Sequence, residues 1–310
     1  MSPGLTRPPR LRPGDRVSVV APCSPVARDQ LTTALRTLRS WGLDPVPAPH
    51  LWDRHPGFRH LAGEDANRAR DLRDAWLDPD TSAVFCARGG DGAHRVLDLL
   101  DFDALRRGRV KPLVGFSDVT ALHEAFAVEL GAATLHGPVL ASRYFAEDAV
   151  SAEELRATLF DPRSRQRLTS PRARPLFGGT ARGVTLGGNL SLLSDSVAAP
   201  HSRPSAAGGL VLLEDVGEDV SRIDRMVTHL LRSGWLRDAA GVVLGSWTDC
   251  TPDPEAVRRL MRERLAPLGV PVVWGLWFGH CGGQLTVPLG VGATLDADAG
   301  TLTLDEPALR

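Results

Sequence analysis

Strand-like and helix-like segments alternate through the first 130 residues, and this alternation restricts the fold more than any other feature of the chain. Val17–Ala21 is a short β-branched run after the turn Pro13-Gly14-Asp15. Gln30–Trp41 carries Leu31, Leu35 and Leu38 at helical spacing, and Asp65–Trp76 is a second helical stretch closed by Asp78-Pro79-Asp80. Ala83–Cys86 reads as a buried strand, followed by the loop Arg88-Gly89-Gly90-Asp91-Gly92 and a helix through Leu100. Val110–Phe116 is a further strand. Asp118–Leu130 is a helix with Val119, Leu122 and Phe126 on one face and Gly131 at its C-cap. Such alternation predicts an α/β fold with a doubly wound, mostly parallel sheet.

The pattern changes over residues 143–182, where charged residues and Pro162, Pro171 and Pro175 accumulate around one short helix near Ser151–Leu159. Strands resume at Gly183–Leu186, Gly209–Leu213, Gly241–Trp247 and Val272–Phe278, and Val287–Leu304 reads as turns and short strands. Ile223, Met226, Val227, Leu230 and Leu231 form a helical stripe, with Ser221 and Asp224 as its expected capping box. The chain therefore divides into an N-terminal domain (1–145), a linker (146–182) and a smaller β-rich α/β domain (183–310).

Its 310 residues suffice for two cores. A net charge of −1 gives no electrostatic case for nucleic acid or an anionic membrane. The N-terminus lacks the apolar segment of an export signal, and no apolar run is long enough to span a bilayer. Cys23, Cys86, Cys250 and Cys281 are scattered without a CxxC pair, which argues against a disulfide framework or structural zinc and for a reducing cytoplasm.

Three residues mark the candidate chemistry. Ser117 follows a strand end at a sharp turn, Gly115-Phe116-Ser117-Asp118, where a hydroxyl is presented beside helix N–H groups. The same Ser-Asp pair can also simply cap the next helix. Glu214 ends an apolar run, with Asp215 and Glu218 as rivals and a surface ion pair to Arg222 or Arg225 as its plain role. Among nine histidines, His280 has the most site-like setting, between Gly279 and Cys281-Gly282-Gly283. His136 comes second. All three candidates stand at predicted strand ends, where open α/β sheets place ligands. The Arg88–Gly92 loop fits an oxyanion role better than phosphate binding, with the amides of Gly90 and Asp118 as the two donors. Cys281 as nucleophile and a metal at His50, His55 and His60 are weaker readings.

The ordered motifs Leu11-Arg-Pro-Gly-Asp-Arg-Val-Ser-Val-Val-Ala-Pro22, Ala87-Arg-Gly-Gly-Asp-Gly92, Val114-Gly-Phe-Ser-Asp-Val-Thr-Ala-Leu-His123, His136-Gly-Pro138, Gly187-Gly-Asn-Leu190, Leu213-Glu-Asp-Val-Gly-Glu218, Arg222-Ile-Asp-Arg-Met226, Gly279-His280 and Val287-Pro-Leu-Gly290 span nearly the whole chain. They resemble the LD-carboxypeptidases (muramoyltetrapeptide carboxypeptidases, serine peptidase family S66). That resemblance implies a flavodoxin-like N-domain, Ser117 as nucleophile, Glu214 as acid, His280 as base, and Gly90 and Asp118 as oxyanion-hole amides. It also implies Arg88, Asn189 and Arg225 as substrate-binding candidates, no metal or cofactor, a homodimer, and release of D-alanine from a murein peptide. The chain departs from the family pattern at Asp91, where an aromatic residue is common, and over Ser194-Asp-Ser-Val-Ala-Ala-Pro200. Two alternatives stand beside this reading. The microcin C immunity carboxypeptidases act on aminoacyl-nucleotide analogues, but residues 190–205 hold no Trp, Tyr or Phe to stack on a base. A non-catalytic flavodoxin-like binding module would bind without turnover.

Overall fold

The structure is a computed structural model and describes residues 4–310. Two sheets organise it. The first has six strands in the order Val287–Leu289, Thr134–His136, Leu113–Gly115, Ala83–Cys86, Arg16–Val20 and Asp44–Pro47. The last five are mutually parallel. Val17, Val19, Phe85, Val114 and Leu135 enter one apolar core, which also receives Leu31, Leu35 and Leu38 from helix Arg28–Ser40. Val20, Val84, Cys86 and Leu113 enter a second core with Leu72, Trp76, Leu122 and Phe126. The strands are buried on both faces, which is why they read as continuous apolar runs.

The second sheet has eight strands, in the order Arg167–Thr169, Thr301–Leu304, Gly292–Asp296, Thr180–Asn189, Gly209–Val216, Gly241–Thr248, Val272–Trp274 and Arg174–Phe177. Its centre, from Thr180–Asn189 to Val272–Trp274, is parallel, and its flanks are antiparallel. Helix Val220–Arg232 packs Ile223, Val227 and Leu230 into the third core. Asp219 caps this helix, accepting from Ser221 N at 2.9 Å. The cap thus lies two residues before the Ser221 position expected from sequence, because an aspartate in the extended conformation already satisfies the first-turn donors.

Two features cross the sequence-based division. Segment 146–182 supplies helix Ala149–Phe160 and both outermost strands of the second sheet. Those edge strands bury little beyond Leu168 and Leu176, and their arginines and Pro175 suit an exposed edge. In return, Val287–Leu289 leaves the second half of the chain and pairs antiparallel with Thr134–His136. The strand expected over Val272–Phe278 ends at Trp274, where Gly275 takes a positive φ of 81°.

The close packing of strand Thr180–Asn189 on strand Gly209–Val216 demands glycine at one point. Gly187 has φ +114°, and a Cβ there would sit 2.2 Å from the Leu212 carbonyl oxygen. Gly187→Ala therefore combines left-handed strain with a backbone clash. It should destabilise the protein by about 2–4 kcal/mol, read as a lower denaturant midpoint at unchanged slope; an unshifted midpoint would contradict the close approach.

Candidate active site

Ser117 sits one residue past strand Leu113–Gly115, after Phe116, in the first turn leading to helix Thr120–Leu130. Its φ is +67°, a conformation that non-glycine residues seldom hold. Strain of this kind persists only where neighbours enforce it. Here the Asp118 carboxylate turns back and accepts from Ala93 N at 2.8 Å, tying the turn to the Arg88–Gly92 loop. The loop is held from its other side by Ser24, whose N donates to Gly89 O (3.1 Å) and whose Oγ accepts from Asp91 N (3.0 Å). Gly90 N and Asp118 N donate to no acceptor among the described residues.

Glu214 lies in strand Gly209–Val216 and is fully buried. Its Oε2 accepts from His280 Nδ1 at 2.7 Å and from His280 N at 3.1 Å. Its Oε1 accepts from Asn189 Nδ2 at 3.3 Å and stands 3.9 Å from His136 Nε2. Burial alone would raise the Glu214 pKa, but the charge of His280 and contacts with both histidines reverse that, and the net direction is downward. Burial likewise works against a charged His280, yet the Glu214 charge and hydrogen bond prevail and hold its pKa above the usual 6.5. The backbone permits this pairing through Gly279, at φ +91°, where a Cβ would lie 2.3 Å from Glu214 Oε2. The surface ion pair considered for Glu214 does not form; Arg222 pairs instead with Glu218, at 2.8 Å.

Ser117 and His280 open on one cavity of about 570 Å³ between the two sheets, without a direct hydrogen bond between them. Arg88, Gly90 and Asn189 also line it. Arg225 does not; it is exposed on helix Val220–Arg232. Cys281 is buried, and burial pushes its thiol up to about 12, which leaves no thiolate at neutral pH. His50 instead holds Asp71, with Nδ1 to Oδ1 at 2.8 Å.

Sequence reasoning named Asn189 as a substrate-binding candidate and Asp215 as a rival acid but not the contact between them, and it missed Tyr144. Asn189 caps helix Leu190–Asp195 and also donates to Asp215 Oδ1 at 2.9 Å, so one side chain clamps two adjacent carboxylates. Asp215 lines the cavity, and burial, followed by the Glu214 charge, pushes it up to about 7. Tyr144, in the stretch just before the expected linker, lines the cavity and sets its ring edge-on to His280 at 6.2 Å. The Gly187-Gly188-Asn189 triplet signalled Asn189 and the place beside Glu214 signalled Asp215, while Tyr144 had no advance signal.

This geometry is that of a serine hydrolase, and comparison with known proteins places it. Residues 17–137 match the LD-carboxypeptidase N-terminal domain and residues 182–295 its C-terminal domain. A Streptomyces coelicolor relative, itself named only provisionally as a carboxypeptidase, is 58% identical over 305 residues, covering 98% of each chain. The murein tetrapeptide carboxypeptidase of Pseudomonas aeruginosa is 34% identical, covering 91% of this chain and 94% of its own. Among solved structures, the microcin C7 self-immunity protein MccF superposes with a TM-score of 0.87 over 98% of this chain and 100% of its own, at 21% identity, a likeness of fold. The chain belongs to the LD-carboxypeptidase family.

The Glu214–His280 pair makes a direct prediction. Glu214→Gln removes the largest influence that raises the His280 pKa and leaves burial, which lowers it, against the smaller influence of Asp215. An NMR titration of His280 should give a value above 6.5 in the wild type and a clearly lower one in the variant. An unchanged value would show that Glu214 does not control the imidazole.

Proposed function

We propose that the protein is a serine carboxypeptidase that cleaves the L,D amide bond of murein tetrapeptide and releases its terminal D-alanine. One observation carries the reading: a strained serine elbow and the His280 of a buried, charged Glu–His pair open on the same cavity. The name of the Pseudomonas aeruginosa relative supports the substrate class.

In this mechanism His280 Nε2 accepts the Ser117 proton as Oγ attacks the amide carbonyl carbon. The C–O bond forms and the carbonyl π electrons move onto oxygen, toward the free amides of Gly90 and Asp118. Loss of one such donor typically costs roughly 3–4 kcal/mol of transition-state stabilisation. Glu214 fixes the imidazole with Nδ1–H toward itself and stabilises the imidazolium. Collapse breaks the C–N bond, and the imidazolium proton goes to the departing amine of D-alanine. Water then attacks the acyl-enzyme, giving its proton to His280, which returns it to Ser117. His280 must be neutral to start the cycle. Activity is therefore lost as pH falls through its raised pKa.

The cavity has a cationic wall at Arg88 and an acidic one at Asp215 and Glu218. Arg88 is the partner for the terminal carboxylate, and Asn189 acts through Glu214 and Asp215. Arg225, exposed and outside the cavity lining, is not used. The reading extends to a cytoplasmic homodimer; four buried cysteines without a disulfide among the described residues support a reducing compartment.

Mass spectrometry of L-Ala-γ-D-Glu-meso-diaminopimelyl-D-Ala tests the proposal. Wild type should remove one D-alanine, and Ser117→Ala should be slower by at least about 10³-fold. Cleavage of an aminoacyl-sulfamoyl nucleoside but not of the tetrapeptide would move the substrate to the immunity class.

A further inference from the structure

The motif His136-Gly137-Pro138 has no part in the mechanism, yet its histidine stands beside the catalytic acid. His136 ends strand Thr134–His136. In the first sheet that strand lies between Leu113–Gly115, which leads to the Ser117 turn, and Val287–Leu289, which follows the His280 loop. His136 is paired with Gly115 on one side and Val287 on the other, so its backbone is fixed from both. Its side chain is fully buried and reaches across to the second sheet, where Nε2 stands 3.9 Å from Glu214 Oε1.

Both nitrogens of this ring lack a hydrogen-bond partner among the described residues, although buried polar groups are nearly always paired. The facing carboxylate has a matching vacancy. Glu214 Oε2 takes two hydrogen bonds from His280, whereas Oε1 takes one, of 3.3 Å, from Asn189. A carboxylate oxygen has room for two. An unpaired donor therefore faces an acceptor able to receive it, and a shift of about 1 Å brings them to hydrogen-bonding length. Around the ring, Phe116 and Phe278 meet it edge-on, with centroids at 5.8 and 5.5 Å. His123, at 6.4 Å, directs Nε2 to Gly115 O at 2.9 Å, and burial pushes its pKa down to about 3. Its Nδ1 is then an acceptor too, the rival partner for His136. A charged acceptor binds a donor more strongly than a neutral one, which favours Glu214.

We infer that His136 is a positioning residue of the catalytic pair: it carries its proton on Nε2 and donates to Glu214 Oε1, which keeps Oε2 turned to His280. The inference rests on the Ser117–Glu214–His280 assignment and not on the murein substrate. It also fixes the sign of a pH effect. His280 faces Glu214 and Asp215, which raise its pKa, and Arg143, which lowers it, together with the rings of Phe116 and Tyr144. His136 acts on it through Glu214. Without the His136 donor the carboxylate is a stronger base and draws the His280 proton more strongly, so the His280 pKa rises. Ser117 is activated only by neutral His280, and the acid limb of its reactivity therefore moves to higher pH.

The rate of Ser117 labelling by a fluorophosphonate, measured against pH in the full-length protein, tests this without any peptide. His136→Phe keeps a ring and removes the donor. Its acid limb should rise by about half a pH unit or more, and the His280 value from an NMR titration should rise with it. His136→Gln, whose amide nitrogen takes the place of Nε2, should return both to the wild-type values. A purely structural role would lower the rate at every pH alike and leave the limb in place. That result, or a Gln variant that shifts as the Phe variant does, would overturn the inference. If His136→Phe does not fold, the ¹⁵N spectrum of the wild type decides. A proton on His136 Nε2 whose resonance moves in Glu214→Gln supports the contact; a proton on Nδ1, directed to His123, overturns it. If the limb shifts as described and murein tetrapeptide is not cleaved, the substrate reading falls and the positioning role stands. If D-alanine is released and the limb stays in place, the positioning role falls and the activity stands.

Discussion

A single buried carboxylate organises the centre of this molecule. Glu214 has no contact with solvent, and an isolated ionised carboxylate in such a place would be prohibitively unfavourable. It is ionised because the chain surrounds it with donors: two from His280 and one from Asn189. Each donor needs a particular backbone. Gly279 lets the His280 loop pass against the carboxylate, and the Gly187-Gly188 pair delivers Asn189 at the end of its strand. The charge in turn holds His280 in one orientation and raises its proton affinity.

The same constraint joins the two sheets. Asn189 N donates to Thr120 Oγ1 at 3.0 Å, so the strand that clamps Glu214 also touches the helix that begins just after Ser117. On the opposite side, the Asp148 carboxylate accepts from Gly283 N and Ser151 Oγ accepts from Gln284 N, anchoring the His280 loop to helix Ala149–Phe160. Strand Val287–Leu289 then continues into the first sheet. Nucleophile and base thus come from different sheets, but three independent ties fix their relation. Binding sites between packed layers gain accuracy from such rigid supports.

The sequence disclosed what depends on local pattern. Continuous apolar runs and leucines at helical spacing marked the parallel sheet and its helices, because burial on both faces leaves a plain signature. Ser117 was legible as a residue just past a strand end, whereas Glu214 stands two residues inside strand Gly209–Val216 and His280 six residues beyond Trp274, so their expected strand-end positions were only approximate. What was hidden depends on long-range pairing. The edge strands Arg167–Thr169 and Arg174–Phe177 carry one buried leucine each and so resemble linker. The crossing of Val287–Leu289 to the first sheet leaves no local mark, since its three residues would suit either sheet. The double clamp by Asn189 and the raised pKa of Asp215 arise only when residues about 25 positions apart meet in a buried site. Arg225 looked apt as a cation near a carboxylate, but its position on helix Val220–Arg232 turns it to solvent.

The central claim is that Ser117 is activated by the Glu214–His280 pair across the shared cavity. Reaction with a fluorophosphonate, followed by peptide mapping, tests this most directly. The account predicts one adduct, on Ser117, formed much faster in wild type than in Glu214→Gln. Labelling at another residue, or at Ser117 with equal rates in the two proteins, would contradict it.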